Sequence, residues 1–365
     1  MTNQSKQRVI IGLSGGVDSS VAAWLLLQQG YSVEGLFMSN WDEDDSYCTA
    51  AQDFQDARQV CAELEIPLHR VNFATAYKDR VFSHFLAEYA AGRTPNPDVL
   101  CNREIKFDLF FHHARRLGAD WIATGHYARL DHSKRTPRLL TSRDRQKDQT
   151  YFLHAAPTAA LARTLFPLGD LIKAEVRQMA TDAGFANHAK KDSTGICFIG
   201  ERDFTEFLSR YLPTKPGKIC TPEGDELGFH QGIMYYTLGQ RQGLGIGGQV
   251  QGNGRPWYVA DKQVDSNTLI VVQGDDHPLL YHDVVITEPV TWLAGKAPSN
   301  PLHCQAKLRY RGQATNCQID IHPEGYLNAI FDQPQWAVTP GQSLVLYDGE
   351  ECLGGAVITT RDRRH

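Results

Sequence analysis

Nine residues, Gly12-Leu13-Ser14-Gly15-Gly16-Val17-Asp18-Ser19-Ser20, stand between an apolar strand-like run, Val9-Ile10-Ile11, and an apolar helix-like run from Val21 to Leu27. Consecutive glycines let the backbone turn tightly with its N–H groups pointing inward, and the helix behind them presents its positive end to the same space. The run therefore reads as an anion cradle on an α/β sheet. It has neither the Gly-x-x-x-x-Gly-Lys-Ser/Thr of a Walker loop nor the Gly-x-Gly-x-x-Gly of a dinucleotide loop. In place of a lysine it carries Asp18, whose carboxylate would repel a polyphosphate unless a divalent cation lay between them. The expected ligand is accordingly a magnesium-bound nucleotide.

With that strand, loop and helix context, the string resembles the pyrophosphate loop of the N-type ATP pyrophosphatases. The resemblance implies cleavage of ATP between its α and β phosphates and transfer of AMP to a substrate oxygen, which turns a poor leaving group into a good one.

At 365 residues, the chain is longer than the ~100–200 residues of one domain. Apolar strand-like runs at Val9 to Leu13, Val33 to Met38, His69 to Phe73 and Trp121 to Thr124 alternate with helical patterns from Ser20, Ala51, Val81 and Ile105. That alternation predicts an open parallel α/β sheet over residues 1–211. Ligands of such sheets sit beyond the carboxyl ends of the strands, where Gly12, Met38 and Gly125 all fall. A glycine-rich change of character predicts a small central, linker-like domain over 212–275. Short alternating strands with Pro-Glu-Gly, Pro-Gly and Asp-Gly turns predict a C-terminal β-barrel over 276–365.

No apolar stretch approaches the roughly 20 residues that span a bilayer, and Met1 to Arg8 is too polar and short for a secretory signal. A cytoplasmic protein with no membrane partner is the expectation. Net charge of −5 argues against non-specific coating of nucleic acid, so any basic surface must be local. Two local candidates exist. The loop 129–149 holds Arg129, Lys134, Arg135, Arg138, Arg143, Arg145 and Lys147, and period-two alternation puts Lys307, Arg309 and Arg311 on one strand face at roughly 7 Å spacing. Each alone reads as a solvated surface; together they favour a polyanionic partner.

The eight cysteines, at 48, 61, 101, 197, 220, 304, 317 and 352, contain no Cys-x-x-Cys pair, which removes zinc knuckles and thioredoxin-like motifs. Cys101 opens a helical pattern with Arg103 close by, a setting that lowers a thiol pKa and makes a nucleophile. Pro95 and Pro97 stiffen its approach, so that Asn96 and Asp98 serve as fixed polar contacts or as an acid/base group. Cys197 lies between Lys190-Lys191 and Gly200, and the residues alone leave it either functional or a strand-core thiol.

Longer strings carry a second, more specific resemblance: Gly92-Arg93-Thr94-Pro95-Asn96-Pro97-Asp98 with Cys101-Asn102, Ala123-Thr124-Gly125-His126-Tyr127, Lys147-Asp148-Gln149, Asp192-Ser193-Thr194-Gly195-Ile196-Cys197-Phe198-Ile199-Gly200-Glu201-Arg202, and Tyr236-Thr237-Leu238-Gly239-Gln240-Arg241. Through these the chain closely resembles the bacterial tRNA-specific 2-thiouridylases along essentially its whole length. The resemblance implies that Gly12, Leu13, Ser14, Gly15, Gly16, Val17, Asp18, Ser19, Met38 and Gly125 bind ATP with Mg2+ near Asp18, and that Asn96, Pro97 and Asp98 meet the target base. It implies that Cys101 is the nucleophile, that Cys197 carries a persulfide, that the two form a transient disulfide, and that Asp98 is an acid/base or base-positioning group.

It further implies tRNA contacts at His126, Lys147, Asp148, Gln149, Arg309, Tyr310 and Gln342. Arg309 and Tyr310 point to opposite faces of a regular strand, so a bulge or strand end is needed to bring both to RNA. The implied partners are tRNAs with a wobble uridine for Lys, Glu or Gln, a cysteine desulfurase or sulfur-relay protein as donor, and an external reductant. Two other readings stand beside it: another adenylating enzyme of the superfamily that uses no persulfide, and a nucleotide-regulated RNA-binding protein without chemistry.

Overall fold

The computed structural model describes residues 6–41, 50–192, 199, 203–246 and 254–364. Strands Arg8–Gly12 (β1), Ser32–Ser39 (β2), Leu68–Asn72 (β3) and Trp121–Ala123 (β4) build a parallel sheet. A hairpin of Ala128–Asp131 (β5) and Arg138–Thr141 (β6) leaves it, and Thr164–Leu165 (β7) returns to complete the order β3-β2-β1-β4-β7. Val9, Ile10 and Ile11 are fully buried, because helices cover both faces of the central strand. The helix Val17–Gln28 follows β1 with Val21, Ala22 and Ala23 at zero exposure, the apolar run needed to lie on that sheet. The expected open parallel α/β sheet is thus present, with β1 at its centre.

Gly217–Cys220 (β8), Glu226–His230 (β9), Trp257–Gln263 (β10) and Thr268–Gln273 (β11) form a second sheet in the order β10-β11-β8-β9. The remaining strands are Tyr281–Pro289 (β12), Thr291–Trp292 (β13), Leu302–Lys307 (β14), Thr315–Ile321 (β15), Tyr326–Trp336 (β16), Ser343–Asp348 (β17) and Glu351–Asp362 (β18). Pairing of β12 with both β16 and β18 closes a six-stranded barrel, β12-β16-β15-β14-β17-β18. Val285, Ile319, Leu327, Ala329, Phe331 and Leu344 fill it at zero exposure. Closure removes the sheet edges that an open antiparallel sheet would leave.

Two sequence expectations change here. The basic stretch 129–149 is not a long loop: β5 and β6 form a hairpin whose Leu140 pairs with Glu351, which extends the barrel sheet into the α/β unit. Its cations are largely spent on that docking. Arg129 and Arg145 hold Glu350, Arg138 holds Asp131 and Glu351, and Arg143 holds Glu175, while Lys134 and Arg135 stand exposed at the hairpin tip. The row Lys307, Arg309, Arg311 is likewise not one strand face, since β14 ends at Lys307. Lys307 lies over the Tyr347 ring and faces buried Asp148 at 3.7 Å. Among the described residues, no helix is long and apolar enough to cross a membrane.

Candidate functional site

Gly12 ends β1 beside Met38 near the end of β2; a Cβ on Gly12 would lie 3.3 Å from the Met38 methyl. Gly125 follows β4, and a Cβ there would meet the Ser19 nitrogen at 2.8 Å. The carboxyl ends of three neighbouring strands therefore converge on the start of the first helix, as expected of a ligand crevice in such a sheet. Gly15 has φ +74°, and a Cβ on it would strike the Asp53 carbonyl at 2.3 Å, so only glycine fits.

The cradle is held from behind by residues that the sequence did not single out. Asn187, 8% exposed, donates through Nδ2 to the Gly15 carbonyl and to Ser20 Oγ, both at 3.0 Å. Ser20 Oγ donates in turn to the Gly16 carbonyl at 2.9 Å, joined by Ser19 Oγ at 3.1 Å. Lys190, paired with Asp53 and Asp56, adds a 3.3 Å contact to the Gly15 carbonyl. In a trans peptide the C=O and the next N–H point opposite ways. Holding the Gly15 and Gly16 carbonyls this way turns the N–H groups of Gly16 and Val17 to the opposite side, where the Gly16 N–H meets Ser14 Oγ at 3.4 Å.

The lysine missing from the loop is supplied from elsewhere. Lys173 opens the helix Lys173–Asp182 and places Nζ 2.7 and 2.8 Å from the two Asp18 oxygens, with Tyr127 donating to the same carboxylate at 2.9 Å. Lys173 also reaches Asp192 at 2.8 Å, and Asp192 gathers Lys147 and Arg177 at 2.7 Å each. Burial alone would raise the Asp192 carboxyl; hydrogen bonds from Lys147 and Lys173 overcome that and hold it at about 2. An oxygen-rich face of Asp18 and Asp192 bridged by one ammonium suits a polyphosphate with its magnesium. Such a ligand would share these carboxylates with Lys173.

A second cluster lies on the helix that starts at Pro97. Asn96 caps it by accepting the Asp98 N–H at 3.2 Å, Pro97 occupies the first turn, and Cys101 follows one turn later at 4% exposure. From Cys101 to Phe110 the hydrogen bonding widens to the i→i+5 pattern of a π-helix, a form that recurs at functional sites. Burial raises the Asp98 carboxyl, opposed by the charge of Lys106. Lys106 Nζ also lies 3.5 Å from His126 Nε2, and His126 Nδ1 lies 2.6 Å from Thr124 Oγ1. Burial, reinforced by Lys106, holds the His126 imidazole well below its ordinary value, so it is neutral.

The segment leading into Asn96 is gripped from all sides. Thr94 N–H donates to Pro340 and Gln342 Nε2 donates to the Thr94 carbonyl at 2.8 Å, both from the barrel. From the central sheet, Lys262 donates to the Gly92 carbonyl at 3.0 Å, and burial lowers its ammonium to about 8. Two sheets, the barrel and the central one, thus hold the approach to the turn that carries Asn96, Pro97 and Asp98.

Of the expected tRNA contacts, Lys147 and Gln149 border the Asp18 cluster, Gln149 by exchanging hydrogen bonds with the Tyr127 backbone at 2.8 Å. His126 and Asp148 are buried at 7% and 4% exposure, and Asp148 accepts from Ser142 N and Thr150 Oγ1. Gln342 braces the Asn96 approach. Arg309 is exposed over the Trp336 ring, and the Tyr310 ring packs tilted against Phe152 with centroids 4.4 Å apart; the end of β14 supplies the break in alternation that lets both leave the strand. Cys197 and its neighbours 193–196 and 198 lie outside the described residues. Ile199, 5% exposed, belongs to the apolar cluster that includes Cys101.

Comparison with known proteins matches three successive family models: one described as a tRNA methyl transferase HUP domain over 7–201, a tRNA methyl transferase PRC-barrel domain over 205–273, and an aminomethyltransferase beta-barrel domain over 282–358. Among full-length relatives, the chain is 60% identical over 353 residues to the tRNA-specific 2-thiouridylase MnmA of Chromohalobacter salexigens, covering 96% of this chain and 92% of that one. It is 60% identical to the protein of the same name from Alcanivorax borkumensis, covering 96% and 97%, and 57% identical over 364 residues to that of Tolumonas auensis, covering 99% of each.

Proposed function

This chain belongs to the tRNA-specific 2-thiouridylase family, an assignment carried by end-to-end identity of 57–60%, and from it we propose that the protein uses ATP to replace the 2-oxygen of a wobble uridine in tRNA with sulfur. Its reaction is read from these full-length relatives rather than from the methyl-transfer wording of the domain descriptions.

A uracil carbonyl does not react with a thiol. Its oxygen first attacks the α phosphate of ATP held over Gly12 to Ser19, with Met38 and Gly125 at the flanking strand ends, and pyrophosphate leaves. What supports this step is the hydrogen bonding of the Gly15 and Gly16 carbonyls to Asn187 and Ser20, which turns the following N–H groups the other way, toward the space where the departing phosphates would lie. Magnesium fits beside Asp18, where it would supply charge neutralisation of the phosphates. Asn96, Pro97 and Asp98 meet the base on a turn whose approach is held by two sheets, and a carboxyl raised by burial at Asp98 suits a proton-transfer group. An anticodon base is already partly unstacked, which eases its entry.

Sulfur arrives as a persulfide on Cys197, loaded by a cysteine desulfurase or a relay protein. In one route the Cys101 thiol attacks the Cys197 sulfur, forming the Cys101–Cys197 disulfide and releasing hydrosulfide, which displaces AMP from C2. In the other, the persulfide displaces AMP itself and Cys101 then cleaves the Cys197–sulfur link with the same disulfide as by-product. Both leave two thiols oxidised, so an external reductant resets the enzyme. Lys147, Gln149, Arg309 and Tyr310 are proposed to touch tRNA, with His126, Asp148 and Gln342 acting from behind that surface.

Nucleoside mass spectrometry of tRNA incubated with enzyme, ATP, magnesium and a competent persulfide donor tests the reading. We expect 2-thiouridine with the wild type and none with Cys197→Ser, which should still bind ATP. Normal thiolation by Cys197→Ser would remove the persulfide role.

A further inference from the structure

We propose that Cys304 and Cys317 form a reversible thiol–disulfide site at the base of the barrel loop 308–314, separate from the Cys101 and Cys197 pair. Strands β14 and β15 run antiparallel with Cys304 directly opposite Cys317. Directly opposed residues have Cα atoms about 4.5–5.5 Å apart, inside the roughly 4.4–6.8 Å window of a disulfide, and their side chains share a sheet face. Cys317 Sγ donates to the Cys304 carbonyl at 3.7 Å. A hydrogen bond with the Cys304 side chain and burial both push the Cys317 thiol up, in keeping with two side chains on one face of the sheet.

Exposure gives the pair an order of reaction. Cys317 is 3% exposed inside the barrel, whereas Cys304 is half-buried on its wall. A peroxide meets Cys304 first: its sulfur displaces water from hydrogen peroxide and becomes a sulfenic acid. The Cys317 sulfur then attacks that sulfur, the S–O bond breaks, and a second water leaves with the Cys317 proton. Two thiols lose two electrons and two protons, and one peroxide becomes two waters; a dithiol reductant reverses the bond by exchange. No other described strand places cysteine opposite cysteine, since Cys220 faces Glu226 and Cys352 faces Tyr347. The bond would close a loop over residues 305–316, tethering the segment that presents Arg309, Tyr310 and Arg311.

The experiment treats the full-length protein with hydrogen peroxide, blocks remaining thiols with an alkylating agent, digests without reductant and analyses the peptides by mass spectrometry. We expect one linked species joining the Cys304 and Cys317 peptides, lacking two hydrogens and lost on dithiothreitol treatment. Limited proteolysis within 308–314 should slow at least several-fold in the oxidised protein, and Cys304→Ser should lose both signals. Recovery of Cys304 and Cys317 as separately alkylated peptides, or of Cys304 as a sulfinic acid with Cys317 still alkylated, would overturn the proposal. The map needs neither tRNA nor ATP and reports Cys101 and Cys197 on different peptides. Its failure would therefore leave the thiolation reading untouched.

Discussion

Asn187 carries no charge, yet through two 3.0 Å hydrogen bonds, to the Gly15 carbonyl and to Ser20 Oγ, it holds the glycine cradle proposed to bind ATP. Asn187→Asp keeps the shape, removes both donors and places a carboxylate against the Gly15 carbonyl. It should raise KM for ATP about 10–100-fold, as expected for losing one or two buried hydrogen bonds, with tRNA affinity unchanged. Parallel changes in both constants would instead indicate general damage. Lys106 invites a pH test. Burial raises Asp98 and the Lys106 charge pulls it back down, so Lys106→Met should lift Asp98 further. Where Asp98 must be ionised to take a proton, activity rises with pH through its pKa, and the acidic limb of the pH–rate profile should move to higher pH in Lys106→Met but not in Lys106→Arg. An unmoved limb in Lys106→Met would detach Asp98 from proton transfer.

Elements that act over distance or depart from regular geometry were the ones hidden in the sequence. Gly15, Asp18 and Gly125 were legible because strand, glycines and helix are contiguous and their chemistry is local. Lys173 was not, because its partner Asp18 lies 155 positions away and no local pattern announces the pair. Lys106 was hidden for a similar reason: it meets His126 across 20 positions and Asp98 across a helix whose winding widens to i→i+5 over 101–110. The β5–β6 hairpin reads as a basic loop because its cations dominate its composition, while its acidic partners Glu350 and Glu351 sit in the barrel. Docking of the two units has its own test. Buried Tyr151 donates its hydroxyl to the Ser343 carbonyl at 3.0 Å and accepts the Ser343 N–H at 3.2 Å. Tyr151→Phe strands both backbone groups and should cost about 1–3 kcal/mol in denaturant unfolding. A change within error of zero would mean that water replaces the hydroxyl.

Across the whole molecule, the parallel sheet and the barrel were legible because apolar runs of period-appropriate length alternate with turns. What periodicity could not reveal is where the sheets meet: Thr94 and Gly92 receive Gln342 from the barrel and Lys262 from the central sheet, so the approach to Cys101 is held by both of those units. In the proposed reaction that arrangement gives the molecule one reaction centre, with ATP at the strand ends and the base at the held turn. The central claim is that the uridine 2-oxygen is adenylated and leaves with AMP. The direct measurement uses tRNA whose wobble uridine carries a heavy-oxygen label at C2, incubated with enzyme, ATP, magnesium and persulfide donor, followed by mass analysis of the nucleotide products. The label should appear in the phosphate of AMP in proportion to the 2-thiouridine formed. Thiolated tRNA accompanied by unlabelled AMP, with the label in water, would contradict adenylation of that oxygen.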